Sequence, residues 1–411
     1  VTAHKPAVRF VFLTLLLDVI GIGLIIPVAP RLVEQLYGHG TAGAAVMVGL
    51  LSASYAVMQF IFAPILGGLS DRFGRRPVIL LSLLGSGIDY LVAAVAPNLL
   101  WLFITRAVNG VSGANMTACN AYVADVTPPD KRAAGFGMMG AAFGIGFILG
   151  PVIGGALGEI NIRLPFVAAG VLTLANWCYG YFVLPESLPR ERRRPFSLAR
   201  ASPVGTFAHL TRYPIVLGLA ASLVLLQLAM FALHATWVLY TKHRYSWSEV
   251  ETGLSLTLVG VGAAVVQGGL VRKIVPWLGE PRSLLIGIGI GVVAYVGYGL
   301  APWGWLLYVI VLAASLGGIA QPAGQAIITK AVPPNEQGEV QGALTSLQSV
   351  AAILGPIFGG VTFAYFISDR APIYLPGAPY FLSGLLSIAG WFVAAMVLRR
   401  FAAPAASQRP V

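Results

Sequence analysis

Three ionisable side chains stand inside long apolar runs of this 411-residue chain: Asp18, Asp89 and Arg106. A charge in hydrocarbon is costly, so such residues face a cavity or a partner and mark a pathway. A carboxyl group there can load and release a proton. An arginine keeps its proton and can only hold or let go of a carboxylate. Asp89 is the first choice for a proton carrier or a shared proton and substrate site, Asp18 is the second, and Arg106 is their natural partner. The structural alternative is a fixed Asp–Arg pair that only ties helices together. At about 1.5 Å per helical residue, Asp18 lies roughly 15 Å and Asp89 roughly 18 Å from one membrane face, and Arg106 roughly 10 Å from the other. In a hydrocarbon core about 30 Å thick, all three fall in the middle or outer-middle layer and could share one cavity.

Uncharged polar residues are the candidates for substrate contact. Tyr55, Met58, Gln59 and Phe62 fall on one helical face, and Asn109, Asn115, Thr117 and Asn120 follow Arg106. Gln227, Gln267, Gln321, Gln325, Gln341 and Gln348 occupy apolar runs of the second half. Each alone is explained as well by hydrogen bonding between helices, but a pocket needs a few polar anchors, so some must line one. His234, Trp237, Tyr240, Lys242 and Arg244 read as a belt at a membrane interface. Cys119 and Cys178 read as buried free thiols.

The elements that position these residues follow from composition. The chain is 57% hydrophobic and only 10% charged, with a mean hydropathy of +0.82. Soluble domains carry about 25% charged residues. This excludes a soluble enzyme, and the net charge of +11 needs no nucleic-acid partner to explain it. Apolar runs of membrane-spanning length are expected near 8–33, 44–69, 77–96, 99–122, 133–156, 165–184, 214–240, 250–271, 283–300, 304–328, 338–366 and 378–398. The first lacks a cleavage pattern and reads as span 1 rather than a signal peptide. One set of loops holds nearly all the cations, including Arg72, Arg75, Arg76, Arg190, Arg192, Arg193 and Arg194. The other set holds Arg31, Arg163, Lys242, Arg244 and Arg370. The positive-inside rule puts the first set and both termini in the cytoplasm, as an even number of spans requires. The expected fold is an all-α polytopic membrane protein of twelve helices.

The two halves repeat. Pro128-Pro129 recurs as Pro333-Pro334, and Gly150-Pro151-x-x-Gly154-Gly155 as Gly355-Pro356-x-x-Gly359-Gly360. Gly113 and Gly137 match Gly318 and Gly342, always 205 residues on. We therefore expect a six-helix half over 1–185, a cytoplasmic linker over 186–212 and a second half over 213–411. Such parallel repeats place a site between halves near mid-membrane. Because one chain holds both halves, a monomer is expected.

At this point the chain resembles the major facilitator superfamily. Gly67-x-x-x-Asp71-Arg72-x-Gly74-Arg75-Arg76 is similar to its signature between spans 2 and 3, a loop that in the family latches the halves together on the cytoplasmic side. Asp71 is expected to pair with an Arg and cap neighbouring N–H groups, and Asp125 to cap or to join the latch around Arg72 and Arg76. Arg106-x-x-x-Gly110-x-x-Gly113-Ala114 resembles the span-4 motif associated with proton coupling. Gly146-x-x-x-Gly150-Pro151-x-x-Gly154-Gly155 resembles the signature of the antiporter branch.

A finer resemblance, to bacterial tetracycline/proton antiporters, is carried by Leu17-Asp18-x-x-Gly21-Ile22-Gly23-Leu24-Ile25-x-Pro27-x-x-Pro30. Ser70 to Val78, Asp89-Tyr90, Gly253-x-Ser255-Leu256 and Gln267 continue it. That family usually has a His in span 8 and an Asp in span 9; here the matching positions are Ala263 and Gly291. The resemblance implies a proton-coupled exporter of small amphipathic compounds in a bacterial inner membrane. It needs no cofactor, and a divalent metal would arrive only with the substrate. The same fold could instead carry an endogenous metabolite such as a sugar, siderophore or amino-acid derivative. The chain has no phosphate-binding Gly-x-x-x-x-Gly-Lys-Ser/Thr motif for ATP-driven pumping, no cluster with metal-ligand spacing and no nucleophile motif, so an enzyme is not expected.

Overall fold

The computed structural model describes residues 5–114, 116–127, 132–193, 212–333 and 336–402, and every regular element among them is helical. Only a helix satisfies its own backbone within a segment that crosses hydrocarbon. Eleven helical segments among the described residues are long and apolar enough to cross a membrane.

The first half begins with α1 (Lys5–Ile25), α2 (Ala29–Tyr37), α3 (Thr41–Phe73) and α4 (Arg75–Ala94). The expected fourth span is two helices, α5 (Leu99–Gly113) and α6 (Met116–Val126). Asn115 between them lies outside the described residues, as do Pro128, Pro129, Asp130 and the linker 194–211. Next come α7 (Arg132–Ile160) and α8 (Leu164–Val183). The second half holds α9 (Pro214–Tyr245), α10 (Glu249–Val265), α11 (Val271–Leu278) and α12 (Glu280–Leu300). It ends with α13 (Gly304–Ser315), α14 (Ala320–Lys330), α15 (Gln337–Phe366) and α16 (Ala378–Ala402).

Several spans depart from unbroken rods for local reasons. Span 1 stops at Ile25 and restarts at Ala29, with Pro30 in the first turn of α2, where a missing N–H does no harm. Arg31, expected in a loop, is thereby helical and only 5% exposed. A single π-turn, Val266–Leu270, joins α10 to α11 and carries Gln267. A 3-10 turn, Leu316–Ile319, joins α13 to α14.

The chain forms two compact units, Val1–Ser202 with Thr241–Val261, and Pro203–Tyr240 with Gly262–Val411. The hairpin Thr241–Val261 is the second end of span 7 and most of span 8 by sequence, yet it packs within the first unit. One core joins Leu15, Ile79, Leu83, Cys119, Tyr122 and Met139. The other joins Leu219, Leu284, Ile288, Ile328, Val340 and Leu344. Trp237 and Tyr240, expected in an interface belt, are instead buried in an aromatic cluster of the second unit. Trp237 lies 5.2 Å from Tyr298, and Tyr240 lies 4.6 Å from Tyr380, between ring centroids. The Tyr240 hydroxyl donates to the Tyr298 carbonyl at 2.6 Å, which removes the need for water at that ring. Cys119 is buried, but Cys178 is exposed, contrary to expectation.

The glycine repeat has the same packing role in each unit. In the first, Gly150 meets the Gly23 Cα and Gly154 meets the Leu24 carbonyl, so α7 lies backbone to backbone on α1. In the second, a Cβ on Gly359 would fall 2.6 Å from the Ala232 carbonyl, and Gly355 meets Phe231, so α15 lies on α9 the same way.

Candidate functional site

The first unit gathers the mid-membrane polar residues into one neighbourhood. Tyr55 on α3 and Tyr90 on α4 lie within electrostatic reach of both Asp18 on α1 and Arg106 on α5, and Asp89 on α4 lies within reach of Arg106 and Asn109 on α5. Asp89 is 3% exposed and Asn109 is 6% exposed. The Asn109 side chain stands within hydrogen-bonding reach of both Asp89 and Tyr90. Two buried polar side chains from different helices thus face each other, and buried polar groups are nearly always paired. Neither Asp89 nor Asp18 is joined to Arg106 by an ion pair among the described residues. The guanidinium acts on Asp89 through its field rather than as a fixed clamp.

Small residues make this gathering possible. A Cβ on Gly110 would fall 2.5 Å from the Tyr55 carbonyl, and one on Gly113 would fall 2.6 Å from the Tyr55 hydroxyl. The helix one turn beyond Arg106 therefore touches α3 directly. Gln59 Nε2 donates to the Tyr55 hydroxyl at 3.3 Å and to the Gly113 carbonyl at 3.4 Å, fixing the Tyr55 ring.

Of the candidate substrate residues, Tyr55, Gln59 and Asn109 join this neighbourhood. Asn120, Gln267, Gln321 and Gln325 are exposed, and Gln227 and Gln348 are half-buried. All of them except Asn120 belong to the second unit.

At the other end of α3, Arg75 is the hub of a charged cluster. Its Nη1 lies 2.6 Å from Asp71 and donates to Ser70 Oγ at 2.6 Å, while its Nε lies 3.3 Å from Asp125. Asp125 therefore joins Arg75, not Arg72 or Arg76 as expected. Arg76 donates to the Tyr181 carbonyl at 2.6 Å, and Arg72 lies over the Phe73 ring. The capping expected of Asp71 is done by Glu186, the first residue of the expected linker. Glu186 Oε1 accepts from the Arg75 N–H at 2.9 Å and from the N–H groups of Ser187 and Leu188. Gly74 has φ +108° and abuts the Glu186 carboxylate, so a side chain there is excluded twice over. No sequence signal could have named Glu186, because its partner lies 111 residues away.

Replacing Arg75 with Ala should leave Asp71 and Asp125 facing each other without a cation. We expect a loss of about 1–3 kcal/mol, discounted for the exposure of both acids, read as a lower melting temperature in detergent. Arg75→Lys should recover only part, since one ammonium cannot serve both acids and Ser70. Unchanged melting in Arg75→Ala would remove the hub.

The chain as a whole matches known proteins over most of its length. The sequence profile of the Major Facilitator Superfamily matches residues 11–356 and again 301–410. This chain belongs to the Major Facilitator Superfamily. It is 40% identical over 351 residues to the class C tetracycline resistance protein of Escherichia coli, covering 85% of this chain and 88% of that one. It is 33% identical over 402 residues to the class H protein of Pasteurella multocida, covering 96% and 95%. Among solved structures, the human organic anion transporter MFSD10 (TETRAN) matches with a TM-score of 0.69 and 26% identity, over 95% of this chain and 99% of that one. The twelve-helix reading and the resemblance to the drug/proton antiporters are thus upheld. As a member of this superfamily the chain is a multi-pass membrane transporter and not an enzyme. A Cβ on Gly291 would meet nothing within 4 Å, so packing does not exclude the acidic residue that tetracycline antiporters usually carry there.

Proposed function

We propose that the chain exports small amphipathic organic compounds, tetracycline-like or of several kinds, in exchange for protons. It works by alternating access in the bacterial inner membrane with both termini in the cytoplasm. The six-helix halves over 1–185 and 213–411 rock about a central site, joined by the linker 186–212. Asp89 carries the proton, assisted by Asp18, and Arg106 stabilises the ionised carboxylate until a proton or substrate arrives. Tyr55, Gln59, Asn109 and the second-half glutamines Gln227, Gln267, Gln321, Gln325 and Gln348 supply polar contacts, with Asn115 and Asn120. Gly67, Asp71, Arg72, Gly74, Arg75, Arg76 and Asp125 form the cytoplasmic gate. Gly146, Gly150, Pro151 and Gly154 keep α7 close enough to α1 to move as one body, and Gly155 gives α10 the same close approach to α7. No resident cofactor is required, nucleic acid has no part, lipid surrounds the helices, and the monomer is the working unit.

The observation that carries this reading is Asp89, a buried acid within reach of an arginine that forms no ion pair with it among the described residues. Outside protons and inside substrate then compete for the same carboxyl, so only singly loaded states turn over. Ala263 and Gly291 favour substrates other than a tetracycline–metal chelate, because two groups that the tetracycline family usually has are missing. The test is drug uptake by everted membrane vesicles energised with an inward proton supply, with tetracyclines, with and without magnesium, beside other amphipathic drugs. Proton-driven accumulation of any of them supports the reading. Folded protein that accumulates none of them would turn it toward a metabolite carrier.

A further inference from the structure

Four side chains at the second end of α1 and the hairpin Thr241–Val261 form a clasp that neither the repeat nor the family motifs announce. Arg31 on α2 pairs with Glu249 at the start of α10, and also donates to the Trp247 carbonyl. One turn along α2, Glu34 pairs with Lys242 at 2.7 Å and accepts from Thr41 Oγ1 at 2.5 Å. The Arg31 side chain is 6% exposed, and those of Glu34 and Glu249 are 16% exposed. The pairs run in opposite senses, with cation on α2 and acid on the hairpin in one, and the reverse in the other. This fixes the register of the hairpin against α2.

The surroundings are shaped to receive it. A Cβ on Gly155 would fall 2.6 Å from the Glu249 carbonyl, and the Gly253 position abuts the Pro151 carbonyl. Thr257 Oγ1 donates to the Ile148 carbonyl at 2.9 Å. Thus α10 lies on the glycine face of α7, with the two ion pairs at its open end. Arg31 and Lys242 are two of the few cations in the otherwise cation-poor set of loops. Each has a carboxylate partner, which explains why they stand against the positive-inside trend.

We infer that these four residues are the outer gate of the transport cycle, the counterpart of the Arg75 cluster on the cytoplasmic side. The inference rests on the alternating-access reading and on the proposed topology. The hairpin must part from α2 whenever the site opens outward, and both pairs must break to let it go. Arg31, Glu249 and Glu34 are largely buried while Lys242 is 42% exposed, so removing a partner leaves a largely buried charge uncompensated, and weakening the clasp shifts the population toward the outward-open form.

The test reads accessibility and needs no substrate, so its failure is distinct from failure of the export reading. Ser255 on the hairpin is fully buried, and Ser255→Cys in a Cys178→Ser background is a near-isosteric reporter. A membrane-impermeant maleimide is added outside intact cells, and labelling is timed in the parent and in Glu249→Gln, Arg31→Gln and Lys242→Gln variants. We expect each single variant to label about tenfold faster than the parent. The exchanged pair Glu34→Lys with Lys242→Glu should return the rate to near the parent value. That recovery separates an ion pair from simple loss of packing, and it also reports that the exchanged protein folds. Equal labelling in parent and single variants overturns the gate. So does labelling only from the cytoplasmic side in everted vesicles, or an exchanged pair that stays as fast as the single variants.

Discussion

Asp89→Asn should abolish proton-driven drug accumulation in everted vesicles while leaving the protein folded and in the membrane. The amide has the shape of the carboxyl but cannot take up or release a proton. Its NH2 donates and its oxygen still accepts, so it can pair with the Asn109 amide and the buried neighbourhood is not starved of partners. Asp89→Glu should keep part of the activity with a displaced pH profile, because the chemistry survives and the reach changes. Arg106→Gln should also lose coupling, since nothing then holds the ionised state of Asp89. Asp18→Asn should weaken transport less than Asp89→Asn, because Arg106 and Asn109 act on Asp89 and not on Asp18. Drug accumulation in Asp89→Asn equal to wild type would remove Asp89 from the coupling role.

Gly154→Val should stop the protein from reaching the membrane in usable form. The Gly154 position faces the Leu24 carbonyl and its neighbouring backbone atoms, which cannot swing aside as a side chain can. Inserting a branched side chain between two backbones must push α7 off α1. Overpacking of a yielding core costs about 1–3 kcal/mol, and an unyielding contact costs more. The separation would also lift Gly155 and Gly158 from the hairpin that both touch. The same helix supplies the control. A Cβ at Gly144 meets nothing within 4 Å, so Gly144→Ala should be tolerated and should even gain helix propensity. Detergent-extracted yield and monodispersity, measured side by side, decide it. A Gly154→Val protein as abundant and active as Gly144→Ala would show that the close approach is not needed.

Most of the fold was legible because hydrocarbon enforces helices and the apolar runs are long. The boundaries were less so. Span 4 is split, span 1 is broken by its prolines, and spans 8 and 10 contain tighter or wider turns, all below the resolution of a hydropathy window. Among functional residues, those that stand out chemically in an apolar run were readable: Asp18, Asp89 and Arg106 needed only their own surroundings. Asp71 and Asp125 were readable as acids near a basic loop, but the choice of Arg75 as hub depends on Ser70 and on helix geometry. Glu186, Glu34 and Glu249 were not readable in those roles. Each looks like an ordinary acid at the edge of a span, and its meaning lies in a partner 111, 208 or 218 residues away. The tight burial of Trp237 and Tyr240 was hidden for a related reason. An aromatic near a span end has the same sequence signature in a lipid headgroup belt as in a cluster of tyrosines.

The measurement that goes straight to the central claim uses purified protein in liposomes, with an imposed pH gradient and a trapped pH-sensitive dye. Substrate is added to wild type, to Asp89→Asn and to empty liposomes. The account predicts a substrate-triggered proton movement in wild type that disappears in Asp89→Asn. Drug flux without proton movement in wild type, or unchanged proton movement in Asp89→Asn, would contradict it.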